Sequence, residues 1–383
     1  VPPSARIAPL IEESPMNPLR ALNDFGQVVW MDYIHRTMLT GGELARLVEQ
    51  DGLTGVTSNP AIFEKAIGGG TDYDEQLRGL LSAGEPSVEA IYEALAFEDI
   101  RLAADLLRPV HDATAGADGF VSLEVSPHLA YDAAGTIAQA RDLWERVDRP
   151  NLMIKVPATA EGLPAIEQLL ASGINVNITL MFSLDDYEAV AQAYLRGAAR
   201  LDEPSRVASV ASFFVSRVDS KVDALLEADG GREALALRGT IAIANSKLAY
   251  RRYREIFEGE PFAELAARGA RPQRVLWAST STKNPEYRDV LYVEELIGPD
   301  TVNTMPPETI EAFRDHGRPR ASLTEDVGGA ERRLAALAGL GIDLDRVTSE
   351  LQREGVEKFA VPFDKLLDTL ASKRAQMLEG VGA

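Results

Sequence analysis

INVNITL, residues 174–180, alternates strictly: Ile174, Val176, Ile178 and Leu180 fall on one face, and Asn175, Asn177 and Thr179 on the other. A period of two is the mark of a strand. FVSLEV (120–125) does the same, with Val121, Leu123 and Val125 against Ser122 and Glu124. In LMIKVP (152–157), Leu152, Ile154 and Val156 oppose Met153 and Lys155. Parallel strands are covered by protein on both faces. A polar face in such a strand therefore looks into a closed barrel, where polar groups meet each other, water or a ligand. An open doubly wound sheet would instead show near-continuous apolar strands.

Working outward, five further runs complete a series of eight: VVWMDY (28–33), GVTSN (55–59), VASVASFF (207–214), RVLWAS (274–279) and TVNTM (301–305). Helical patterns separate them: 41–50, 87–108, 133–147, 163–171, 217–228, 232–257, 285–296 and 308–315. Ser183 and Asp186 resemble a capping box that opens one more helix, with Leu184, Tyr187, Val190, Ala191, Tyr194 and Leu195 on one face. Eight strands alternating with helices predict an α/β fold, a (β/α)8 TIM barrel. Residues 328–339 and 344–379, the latter interrupted at Pro362, add C-terminal helices expected to lie across the barrel as a lid or brace. The domain reading is an extension at 1–15 and a single barrel domain at 16–383, which includes the C-terminal helical region 328–380. Met16 reads as close to a natural start.

Composition bounds the function. The chain has 383 residues, 45% of them hydrophobic, and a net charge of −20. That balance fits a folded globular chain and argues against binding nucleic acid or an anionic membrane. It leaves room for a small phosphorylated substrate, which needs only a local pair of cations. There is no cysteine, so thiolate nucleophiles and Cys-based zinc sites are excluded. No apolar run approaches the roughly 18 residues of a membrane span. No secretory signal is visible, and a cytoplasmic protein is expected. Gly68–Gly69–Gly70 lacks the Lys-Ser/Thr of a phosphate loop. His35, His111, His128 and His316 have no metal-ligand spacing. Lys247, Arg251, Arg252 and Arg254 read as a solvated helix face.

Barrel active sites sit at the C-terminal strand ends. The polar residues there are Asp32, Asn59, Glu124, Lys155, Asn177, Thr179, Ser212, Ser281 and Lys283. Burial disfavours an ammonium ion, and a lysine amine brought to a pKa of roughly 7–8 attacks carbonyls to form Schiff bases. An ion-paired or snorkelling strand lysine would give the same pattern at Lys155. Asp32 and Glu124 are candidate proton carriers, and either alone could be a structural ion-pair partner. Arg217, just past strand six, and Lys283, just past strand seven, occupy loops that often hold phosphate in this fold. Surface solvation would explain either one singly.

Six segments resemble bacterial transaldolases: 28–67 (VVWMDY through TSNPAIFEKAI), SLEVSPHLAYD (122–132), LMIKVPAT (152–159), INVNITLMFS (174–183), VASFFVSRVDSKVD (210–223) and LWASTSTKNPEY (276–287). The length is similar to the larger bacterial subfamily. The resemblance implies a class I aldolase mechanism with no metal and no cofactor. It makes Lys155 the Schiff-base lysine and Asp32 the acid/base at the C4 hydroxyl. Glu124 becomes an acid acting through a water that Thr179 holds. Asn59, Asn177 and Ser212 would hold dihydroxyacetone hydroxyls. Arg217 would bind phosphate beside Ser281 and Lys283. Lys283 stands where many relatives have arginine, so it keeps the charge and loses the fork. The implied reaction moves a dihydroxyacetone unit from sedoheptulose 7-phosphate to glyceraldehyde 3-phosphate, in the non-oxidative pentose phosphate pathway. The implied partners are small sugar phosphates, with a homo-oligomer left open. Two rivals remain. One is a fructose 6-phosphate aldolase-type lyase, which would resemble this chain with Gln for Glu124 and Tyr for Phe214. The other is a non-catalytic sugar-phosphate-binding barrel, which would need no amine.

Overall fold

The computed structural model describes residues 17–381, so the expected extension at 1–15 and Met16 lie outside the described residues. Eight strands follow one another: β1 (Gln27–Asp32), β2 (Leu53–Thr57), β3 (Phe120–Glu124), β4 (Leu152–Pro157), β5 (Val176–Met181), β6 (Ser209–Phe214), β7 (Arg274–Ala278) and β8 (Thr301–Met305). All pair in parallel in sequence order, and β8 closes on β1. The protein is a (β/α)8 barrel with additional C-terminal helices, as the alternating strands require.

Local chemistry sets the helix starts. Ser183 and Asp186 form the expected reciprocal capping box at the head of Leu184–Ala199. Asn59 accepts from the Ile62 N–H and opens Pro60–Gly68, with Pro60 at the first turn where its missing N–H costs nothing. Asp132 caps Ala133–Val147 in the same way.

Several boundaries differ from the sequence reading. β5 starts at Val176, and Asn175 lies below it. The Asn175 side chain donates to the Pro150 and Leu152 carbonyls and accepts from the Ala208 N–H, stitching the lower ends of three strands. The pattern at 41–50 becomes a helix at Glu43–Arg46 running into a wide turn at Leu47–Asp51. The single helix expected at 232–257 is two, Arg232–Leu235 and Ile241–Phe257, because the chain turns at Gly239 with φ 68. Of 285–296, only Leu291–Glu295 is helical. The preceding loop is held by side chains instead: Thr282 donates to the Arg288 carbonyl and Tyr287 to Asp223.

Pro362 does not interrupt the last helix, which runs unbroken from Leu344 to Val381. A proline inside a helix, through its missing N–H and the clash of its ring with the preceding turn, costs about 3 kcal/mol. On both sides of the proline, Leu351, Val356, Phe359, Phe363, Leu366 and Leu370 form one buried stripe. Each such side chain contributes roughly 1.5–3 kcal/mol, so packing outweighs the proline. Lys247 also departs from expectation. It is buried against the helix Val327–Gly339, and its Nζ donates to the Glu325 carbonyl at 3.1 Å. Arg251, Arg252 and Arg254 do lie on the exposed face, paired with Glu331, Glu255 and Glu258. No helix among the described residues is long and apolar enough to cross a membrane.

Candidate active site

Strand register brings the polar faces together. Lys155 on β4 has Glu124 of β3 and Asn177 of β5 as its Cα partners. Its Nζ lies 3.3 Å from a Glu124 oxygen and donates to the Ser58 carbonyl at 3.2 Å. Both side chains are almost sealed, Lys155 at 6% exposed and Glu124 at 3%. Above the pair opens a cavity of about 470 Å³ at the C-terminal end of the barrel. Asp32, Asn59, Lys155, Thr179, Ser212, Arg217, Ser281 and Lys283 all line it.

Glu124 and Asn177 flank Lys155 in register but do not line the cavity themselves. Asn177 is fully buried, donates to the Ser122 hydroxyl at 3.0 Å and accepts from Ser212 at 2.7 Å. It therefore orients Ser212, whose hydroxyl oxygen remains an acceptor on the cavity side. Asp32 accepts from Thr57 at 2.7 Å, and Thr57 lies 2.8 Å from the Thr304 hydroxyl. Asn59 spends its carbonyl on the helix cap and keeps its amide N–H groups. Lys283 Nζ donates to Ser281. The Thr179 hydroxyl is buried in the cavity wall and has no hydrogen-bond partner among the described residues.

Burial pushes the Glu124 carboxyl up to about 7, more than the Lys155 cation beside it pulls down; Asp32 adds to the rise and Arg217 opposes it. Glu124 is thus poised to hold or release a proton near neutrality. Burial also lowers Arg217, against the attraction of Asp32 and Glu124. The Arg217 guanidinium stacks over Phe214 at 5.1 Å.

A raised carboxyl pKa binds its proton more tightly in the folded chain than in the unfolded one. Stability from Glu124 is then complete below about 4.5 and is lost as pH rises to about 7. Glu124→Gln removes that loss. Its stability relative to wild type, read from melting curves, is expected to climb across this window, by about 3 kcal/mol in full. Parallel melting curves from pH 4.5 to 7 would contradict the buried-carboxyl assignment.

The sequence reading did not select several of the cavity's residues. Thr57 lies opposite Val56 in its strand and could have been found from the same alternation; Thr304 shares its strand face with Val302, so the alternation does not mark it. Lys65, Lys358 and Phe359 come from helices. Phe359 lies 5.4 Å from Lys155 Nζ and 6.0 Å from the Arg217 guanidinium, covering both cations. In sequence it is one member of an apolar helix stripe, indistinguishable from core.

A closed parallel barrel with a buried amine beside a carboxyl, and with a further carboxylate and clustered cations at its C-terminal mouth, defines a class, the (β/α)8 barrels that carry a buried lysine at that mouth. The sequence model of the transaldolase/fructose-6-phosphate aldolase family matches residues 29–370. A transaldolase of Thiobacillus denitrificans is 50% identical over 356 residues, covering 92% of this chain and 99% of its own. One of Frankia alni is 51% identical over 362 residues, covering 93% and 97%. One of Thermobifida fusca is 50% identical over 368 residues, covering 94% and 99%. The chain belongs to the transaldolase/fructose-6-phosphate aldolase family and is an enzyme, a transferase of aldehyde and ketone residues.

Proposed function

We propose that this enzyme moves a dihydroxyacetone unit from sedoheptulose 7-phosphate to glyceraldehyde 3-phosphate, through a Schiff base on Lys155. The products are erythrose 4-phosphate and fructose 6-phosphate, in the non-oxidative pentose phosphate pathway. The observation that carries this reading is the Lys155 amine on the cavity floor with the Glu124 carboxyl 3.3 Å away. The names of the relatives support the same reading.

In the first half, the Lys155 amine adds to the donor ketone. The resulting carbinolamine loses its hydroxyl as water, with Glu124 supplying the proton, and leaves an iminium ion. Asp32 then takes the proton of the C4 hydroxyl. The C3–C4 bond breaks, its electrons pass to the iminium nitrogen, and carbons 4–7 depart as erythrose 4-phosphate. In the second half, the enamine carbon attacks the aldehyde of glyceraldehyde 3-phosphate, and Asp32 returns its proton to the new alkoxide. Water hydrolyses the iminium to release fructose 6-phosphate and the free amine. Thr179, with its unpartnered hydroxyl, is the group suited to hold that water. Glu124 and Phe214 favour transfer over the aldolase-type lyase. The test is reductive trapping: borohydride with fructose 6-phosphate should fix an adduct on the peptide carrying Lys155.

Arg217 and Lys283 are proposed to take the phosphate. A hydrogen bond to a charged group contributes roughly 1.5–3 kcal/mol, or about 10–150-fold in affinity. Arg217→Ala is expected to raise KM for fructose 6-phosphate by that factor and to change activity on free fructose much less. Lys283→Arg should be tolerated. Equal losses of kcat/KM on both donors would withdraw the phosphate assignment.

A further inference from the structure

The mechanism above makes no use of the C-terminal helix beyond Phe359, yet that helix touches the catalytic strands at one more point. Leu180 in β5 has φ 60, a left-handed conformation rare for a branched residue, and the β5–β6 register shifts between Ile178 and Met181. A carbonyl turned out of its ladder and buried needs another donor. Gln352 of the helix provides it. Its amide donates to the Leu180 carbonyl at 3.3 Å and to the Ala158 carbonyl, just past β4, at 3.0 Å. The Ala158 N–H in turn donates to the Thr179 carbonyl at 2.8 Å. One turn further along the helix, a Cβ on Gly355 would stand 2.7 Å from Leu180 Cδ2, so any larger residue there would have to displace the Leu180 side chain. Thr179, held between Ala158 and the kinked Leu180, lines the cavity with a buried hydroxyl that has no partner among the described residues.

We propose that Gln352 and Gly355 are positioning residues: they hold the Leu180 kink and thereby fix the Thr179 hydroxyl in the wall of the cavity that Lys155 also lines. The proposal rests on the reading above only in giving Thr179 a part in turnover. A displacement of about 1 Å in a positioned group can cost about 10²-fold in rate.

Gln352→Leu keeps the bulk and removes the donor. It is expected to lower kcat roughly 10–100-fold with KM for fructose 6-phosphate nearly unchanged. Thr179→Val should do the same. The double variant should be no slower than the slower single one, because both act through one hydroxyl. Gln352→Lys, which keeps a donor of similar reach, should recover most of the rate. If Gln352→Leu does not fold, Gly355→Ala with Thr179→Val completes the same cycle. Multiplying losses would overturn the proposal, as would wild-type kcat in Gln352→Leu or a KM that rises in step. The cycle reads turnover alone, so trapping decides the covalent reading separately. Trapping at Lys155 with multiplying losses removes only this proposal. Coupled losses with no adduct leave it standing and remove the Schiff base.

Discussion

Lys155→Ala is expected to fold and to lose on the order of 10⁶ in kcat, the scale of loss when a covalent nucleophile is deleted. The fold should survive because the group left behind can neutralise itself. Glu124 already titrates at about 7, and the Lys155 cation is what holds it that low. With the cation gone its pKa rises further, and the carboxyl sits protonated at neutral pH with no unpaired buried charge. The Ser58 carbonyl loses one long bond at 3.2 Å. The measurement is turnover together with borohydride trapping and peptide mapping on wild type and variant. Mapping matters because Lys65, Lys283 and Lys358 also line the cavity. An adduct on any of these in the wild-type enzyme, or substantial turnover in Lys155→Ala, would overturn the assignment.

Asp32→Asn is expected to slow turnover by roughly 10²–10⁴-fold, the contribution of a positioned acid/base. Asparagine retains an oxygen that can accept from Thr57, so the Thr57–Thr304 contact and the placement of the side chain should persist. What is lost is the proton transfer at the C4 hydroxyl. Schiff-base formation precedes that step, so the variant should still trap on Lys155 with fructose 6-phosphate while releasing aldehyde slowly. Wild-type turnover would refute the role. Loss of trapping along with turnover would move Asp32 from cleavage to an earlier step.

These expectations draw on two kinds of information. The alternation of Asn177 and Thr179 with Ile178, and of Glu124 and Lys155 with their apolar neighbours, is written in each strand separately. A strand puts residues i and i+2 on one side whatever surrounds it, so the polar faces, and with them Lys155 and Thr179 in the cavity wall, follow from the amino-acid order. Closure and register are not local. That Glu124 stands beside Lys155, that Asn177 holds Ser212 without lining the cavity itself, and that Arg217 and Lys283 share one wall depend on how eight strands stagger around a ring. The helices carry a second ambiguity. Phe359 and Leu366 read alike as members of a buried stripe, but one covers Lys155 and the other is core. Lys247 and Arg251 fall on one helical pattern, but packing against a later helix buries only the first. Pro362 reads as a stop until the buried side chains on both sides of it are counted. Sequence determined the period of each element, because backbone geometry enforces it residue by residue. Which groups meet across elements, including Gln352 on the kinked end of β5, was decided by tertiary packing, because those contacts join residues far apart in the chain, 35 positions for Asn177 and Ser212 and 172 for Gln352 and Leu180, that no local pattern relates.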